Sequence, residues 1–172
     1  EGLKYTLLIS ILGTIFGVAI GMILVTMKLL KITERDSFLT KMLKKISIVF
    51  STAYVDVIRG TPMMIQAIIL YYWFLYPVFK MGFLGAGIFI VTINTAAYAT
   101  EVLRGSIQAI DIGQMEAARS LGMSTKQAML KVILPQALRN SVPAIGNELV
   151  INIKDSYVPT VTGLIEMLYE YT

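Results

Sequence analysis

The chain has 172 residues, 56% of them apolar and only 15% charged, with a net charge of +4 and a mean hydropathy of +0.71. A water-soluble domain of this size carries about 25% charged residues, so the composition is that of an integral membrane protein. Cysteine and histidine are both absent, which excludes disulfides, a thiol nucleophile, a histidine base and the usual zinc sites.

Residues 7–27 form an uncharged run long enough to span a bilayer. Gly13, Gly17 and Gly21 recur within it every four residues, the spacing that lets two helices approach closely. No initiator methionine or cleavable leader is visible, and both ends of the chain are expected to be trimmed. The next stretch carries Lys28, Lys31, Arg35, Lys41, Lys44 and Lys45 against only Glu34 and Asp36, so loop 28–45 is predicted to be cytoplasmic. Residues 46–57 are apolar but too few to cross, and are either interfacial or the first part of a helix kinked at Gly60-Thr61-Pro62.

A second span is predicted over 63–79. Tyr71, Tyr72, Trp73 and Tyr76 near its far end fit an interfacial aromatic belt, with a binding cage as the alternative. Residues 82–102 return inward, with Asn94 near the middle and Glu101 and Arg104 at the inner end. Loop 104–139 is again basic and therefore cytoplasmic. A further short span over 138–153 is interrupted by Pro143 and Gly146 and carries Asn147, Glu148 and Asn152. The apolar run from Val158 is too short to cross, and reads as the start of a fifth helix.

Within the second cytoplasmic loop, residues 111–135 read as two short helices joined by a glycine. Asp111 with Gln114, and Ser124 with Gln127, have capping-box spacing. Gly122 stands where a left-handed residue would close the first helix, and Pro135 should stop or kink the second. A helix of ten residues is only ~15 Å long, too short to cross a membrane and suited to docking in a groove. Bilayer spans on both sides leave it no room to enter a nucleic-acid groove as a helix-turn-helix would.

Glu116-Ala117-Ala118, followed by Gly122 and then Val132-Ile133-Leu134-Pro135, resembles the EAA signature of ABC-importer permeases, with Val132 at a position usually held by isoleucine. Arg59-Gly60-Thr61-Pro62, Gln66, the stretch AAYATEVLRGSIQAI from Ala96, Gly113-Gln114, Asn147-Glu148 and Lys154-Asp155 are similar to the polar amino acid subfamily. The resemblance implies an all-α bundle of the type I importer permeases with five spans, the last truncated here, forming a single domain over 1–172 with the coupling loop at 111–135. It implies a multi-pass protein of the bacterial cytoplasmic membrane. Its partners would be a separate ATP-binding subunit holding ATP and Mg, a second permease subunit (the same or different), and an extracytoplasmic substrate-binding protein. Glu116, Ala117, Ala118, Gly122, Leu134 and Pro135 would then couple the chain to the ATPase, and polar amino acids would cross by alternating access.

The chain has no GxxxxGK[ST] phosphate loop and no expected catalytic, cofactor or metal residue of its own. Glu148 is an ionisable group inside a broken span, which points to a substrate pathway. Asn152, four residues on, shares its helical face. Glu148 could meet an ammonium or a cationic side chain, or make a structural hydrogen bond to a neighbouring helix or across a dimer axis. Asn94 and Gln66 are pathway candidates whose alternative is interhelical hydrogen bonding. The competing function is an ATP-independent channel or secondary carrier, which would ordinarily show inverted repeats or more charges along its spans.

Overall fold

A chain this apolar must bond its backbone polar groups within each segment, and the described residues do so as helices joined by short connections. The computed structural model describes residues 2–34 and 36–155, with no strand among them. Helix α1 is Gly2–Lys28, α2 Phe38–Gly60, α3 Met63–Phe79, α4 Phe83–Gln108 and α5 Ile112–Ser120. Helix α6 is one helical path over residues 125–154, assembled from Thr125–Ala128, a π turn at Met129–Ile133, and Leu134–Lys154. The run from Val158 and the expected fifth helix lie outside the described residues.

Segments Leu3–Lys28 and Phe83–Gln108 are each long and apolar enough to cross a membrane. The predicted span over 63–79 satisfies that condition only jointly with α2, and the two helices meet at 108°. Residues 46–57 are therefore the interior of a 23-residue helix, not a short interfacial piece. The corner follows from Pro62, which has no N–H to continue the ladder and forces the preceding residue out of the helical region. Thr61 is accordingly extended, at φ −120° and ψ 141°.

Helix α1 lies along α4 at a spacing set by its glycines. A Cβ built at Gly13 would lie 2.5 Å from Val91 Cγ1, one at Gly17 2.6 Å from Thr95 Cβ, and one at Gly21 2.9 Å from Ala99 Cβ. Three glycines thus match three α4 residues of the same four-residue period, and the two backbones touch. Thr100 Oγ1 also reaches the Gly21 carbonyl, at 3.5 Å. On the other side of α4, Ala67, Tyr71 and Leu75 of α3 bury against Ala86 and Ile90. Tyr71 is therefore a core residue, at 1% exposure, while Trp73 and Tyr76 face outward. The expected aromatic belt is split because the helical turn places Tyr71 in the core and Tyr72 against its edge, and leaves Trp73 and Tyr76 exposed.

Two prolines lie within continuous helix for one reason. Helix α3 contains a π turn at Tyr71–Leu75 two residues before Pro77, and α6 contains one at Met129–Ile133 two residues before Pro135. In each case the carbonyl that the proline ring would strike, four residues back, belongs to the π turn. Widening that turn moves the carbonyl aside and lets the helix continue. Pro135 thus neither stops nor separates a second short helix. Pro143 and Gly146 likewise lie inside continuous helix rather than interrupting it.

Substituting Gly17→Val should force α1 and α4 apart and destabilise the fold by about 1–3 kcal/mol. Gly105→Ala, at a helical glycine with no atom within 4 Å of the added carbon, should be neutral or stabilising by about 0.5–1 kcal/mol. Thermal unfolding of the purified chain in detergent checks the pair, through a lowered Tm for the first and an unchanged or raised Tm for the second.

Candidate functional site

Helix α5 is capped at both ends by its own sequence. Asp111 Oδ1 accepts the Gly113 N–H at 2.6 Å. The capping box expected with Gln114 is not formed, because the Gln114 side-chain oxygen accepts from Gln136 Nε2 of α6 at 3.3 Å instead. At the far end Gly122 has φ +84°. Its N–H bonds the Arg119 carbonyl at 3.0 Å, and the Met123 N–H bonds the Ala118 carbonyl at 3.2 Å. This is a Schellman closure, which needs a left-handed residue and favours glycine. Ser124 and Gln127 then form the complete capping box predicted for them, at 3.2 and 2.8 Å.

On this rigid nine-residue helix Glu116 and Ala117 are exposed, whereas Ala118 is buried and faces the chain's own interior. Leu134 is half-buried and Pro135 exposed, both in α6. Ile112 and Leu121 flank Glu116 at 74% and 81% exposure. They were not singled out from the sequence, although an apolar residue at each end of a polar island was the available signal. Nine positions separate Ile112 from Leu121, so they project from opposite sides of the helix, with Glu116 about 40° from Ile112.

The second candidate site is a cleft of about 450 Å³ where the α2–α3 corner, α4 and α6 meet. The corner supplies Arg59 and Thr61, α4 supplies Asn94 and Tyr98, α6 supplies Glu148, and its C-cap supplies Asp155. Arg59 stacks over the Tyr98 ring at 5.2 Å from its centroid. The cleft thus joins one guanidinium, two carboxylates and an amide within a largely apolar protein. Such a set can hold a small molecule bearing both charges. No cluster of three potential metal ligands occurs among the described residues.

Of the four pathway candidates, Glu148 and Asn94 line this cleft and the other two are tied elsewhere. Gln66 Nε2 donates to the carbonyls of Ile58 at 2.7 Å and Thr61 at 2.9 Å. It thereby satisfies groups that the corner leaves without a helical partner. Its Oε1 accepts from Asn94 at 3.3 Å. Asn152, at 1% exposure, donates to Thr14 of α1 and Thr95 of α4, both at 2.9 Å. At about 100° per residue, Ile151 and Asp155 fall on one side of Glu148 and Asn152 about 40° to the other. That offset turns Asn152 out of the cleft and into the α1–α4 seam.

Sequence reasoning gave Glu101 no role beyond marking a helix end. Its Oε1 pairs with Lys28 of α1 at 2.6 Å, and its Oε2 pairs with Arg104 at 2.7 Å and lies 4.0 Å from Arg59 of α2. The Arg104 pairing is local, but partners 73 and 42 positions away were not legible.

The family model for the binding-protein-dependent transport system inner membrane component matches residues 37–170. A putative glutamine transport system permease protein of Rickettsia prowazekii is 33% identical over 169 residues, 98% of this chain and 72% of that protein. The arginine transport system permease protein ArtQ of Bacillus subtilis is 36% identical over 165 residues, 95% of this chain and 70% of that protein. Among solved structures, an amino acid ABC transporter crystallised with histidines matches with a TM-score of 0.80 and 38% identity, over 94% of this chain and 70% of that one. The MetNI methionine ABC transporter matches in fold alone, with a TM-score of 0.75 at 22% identity over 99% of this chain and 79% of that one.

Asn152→Ala removes two buried interhelical donations and should cost about 1–2 kcal/mol. If Asn152 is only a tie between helices, the variant will show a lowered Tm and the wild-type substrate concentration for half-maximal uptake. A changed half-saturating concentration at an unchanged Tm would return Asn152 to the pathway.

Proposed function

The chain belongs to the family of binding-protein-dependent transport inner-membrane components, as a transmembrane subunit of an ABC importer for amino acids, and we propose that it carries polar amino acids by alternating access, driven by a separate ATPase docked on α5. The observation that carries the docking is the exposed surface of that helix. Glu116 and Ala117 stand between exposed Ile112 and Leu121 on a short helix whose ends are fixed by Asp111 and Gly122. Apolar contacts would supply affinity and Glu116 a charge for basic groups on the partner. Gly122 sets the angle to α6, and Leu134 and Pro135 lie in the helix through which motion at α5 would reach the cleft. The 111–135 segment acts as the coupling loop of a single permease domain.

The cleft is the proposed substrate path. An amino acid carries an ammonium and a carboxylate on adjacent carbons. Glu148 and Asp155 offer partners for the first or for a cationic side chain, Arg59 for the second, and Asn94 a neutral hydrogen bond. The α2–α3 corner and α6 reach the cleft from different helices, so relative movement of the two would open or close it. Gln66 and Asn152 support this arrangement from behind rather than by contact. A second permease copy would complete the pathway, and an extracytoplasmic binding protein would deliver substrate.

The same reading sets the orientation. The basic loops 28–45 and 104–139 face the cytoplasm of a bacterium, and α5 with them. Asp36, in the first of these loops, accepts from Lys44 at 2.7 Å and from the Thr33 N–H at 2.8 Å. The Lys44 bond, followed by the backbone one, holds its carboxyl below the usual carboxylate range. ATP and Mg belong to the partner subunit, and the chain itself does no covalent chemistry.

Co-purification of the complete permease with its neighbouring ATP-binding subunit tests the docking. Wild type should retain the subunit, and Glu116→Lys should lose at least about tenfold in retention through charge reversal at the contact, with membrane insertion intact. Retention equal to wild type would remove Glu116 from the interface. Glu148→Gln should raise the substrate concentration for half-maximal uptake by about tenfold, the loss of one charge-assisted bond. A variant that loses only thermal stability would make Glu148 structural.

A further inference from the structure

Glu101 carries the most charge contacts among the described residues, yet it lines neither the cleft nor α5. Its side chain is 16% exposed. Lys28 Nζ takes Oε1 at 2.6 Å, and Arg104 takes Oε2 through Nε at 2.9 Å and Nη2 at 2.7 Å. Both oxygens are therefore fixed by close cations before Arg59 is considered. Arg59 Nη1 stands 4.0 Å from Oε2, beyond a hydrogen bond, with a side chain 42% exposed. Its guanidinium is held by the face of Tyr98 and the field of Glu101, and faces a cleft whose other charges are the carboxylates Glu148 and Asp155.

A long cation at the rim of a site with two carboxylates would ordinarily fold across and pair with them. That pairing would neutralise the carboxylates and occupy the space between. Glu101, reached from behind together with Tyr98 one turn earlier on the same helix, opposes it. We propose that Glu101 is a positioning residue: with Tyr98 it holds the Arg59 guanidinium back from Glu148 and Asp155, so that the cleft keeps separated charges open to a zwitterionic substrate. Lys28 and Arg104 hold Glu101 in turn, which gives α1 a part in setting a cleft it does not line. This inference rests on the reading of the cleft as the substrate path.

The chain has no cysteine, so a single Ile151→Cys in the cleft wall reports the local charge. The probes are a cationic and an anionic methanethiosulfonate, applied to the assembled transporter. With Arg59 held back, the cationic reagent should react faster than the anionic one. Glu101→Gln should reduce that preference by about three- to tenfold, as expected for a unit charge moved several ångströms toward the thiol. Glu101→Asp should restore most of it, and so should Arg59→Gln added to Glu101→Gln. The deciding variant is Lys28→Gln with Glu101→Gln, which has the wild-type net charge but leaves Arg59 unheld. Its preference should stay low, and a return to the wild-type ratio would overturn the inference by reducing the effect to charge counting. An equal change in the rates of both reagents would also overturn it, as the mark of a general change in access to the thiol. Uptake of labelled L-arginine and L-glutamine by the same variants separates the two readings. A shifted reagent preference with an unchanged half-saturating concentration would uphold the positioning and reject the cleft as the path.

Discussion

Backbone contact between α1 and α4 is the constraint on which the other arrangements depend. In an apolar solvent, association gains little from hiding oil from oil, and helices hold together by close packing and by hydrogen bonds across their seams. Glycine at 13, 17 and 21 removes the side chains that would keep the axes apart, and Val91, Thr95 and Ala99 fill the space from the other side. Close approach then brings hydroxyls of both helices within reach of one amide. Asn152 bonds Thr14 and Thr95 together and thereby fixes the depth at which α6 docks. Packing and polar tie are coupled, since neither Thr would meet Asn152 if the seam were wider.

From that seam α4 organises what lies on its other faces. The corner between α2 and α3 is costly in isolation, because it leaves carbonyls unpaired and turns a helix by 108°. Gln66 answers those carbonyls from inside the corner, Asn94 of α4 holds Gln66, and the Tyr54 hydroxyl donates to the Ile93 carbonyl at 2.7 Å. Glu101 and Tyr98 reach Arg59 on the last turn before the bend. Asn94, Tyr98 and Glu101 of α4 therefore lie along the line where the bend is fastened, while Thr95 and Thr100 face the α1 seam.

The two π turns have a related logic. Each absorbs a proline that would otherwise cut a helix, and in α6 this keeps the segment beside α5 continuous with the segment that bears Glu148 and Asp155. A broken helix would transmit displacement poorly. A continuous one with a single widened turn joins the residues packed beside α5 to those lining the cleft in one helical path.

Sequence alone determined the helical class, the membrane setting, the glycine face of α1, the caps at Asp111, Gly122 and Ser124, and the family resemblance. These rest on composition, on spacing within one helix, or on hydrogen bonds between residues two to five positions apart, all of which a linear text carries. It placed the break at Pro62 but could not give its angle, and it overstated the stop at Pro135 and the interruption at Pro143 and Gly146, because whether a proline ends a helix depends on what the surrounding turns can absorb. It offered four polar candidates in the spans, Gln66, Asn94, Glu148 and Asn152. Only the tertiary structure separated them, setting Glu148 and Asn94 at a cleft and Gln66 and Asn152 in ties behind it, because a rotation of about 40° on a helix decides which neighbour a side chain meets. The Glu101 cluster was invisible for the same reason: its charges come from three helices, and only folding brings them to one carboxylate.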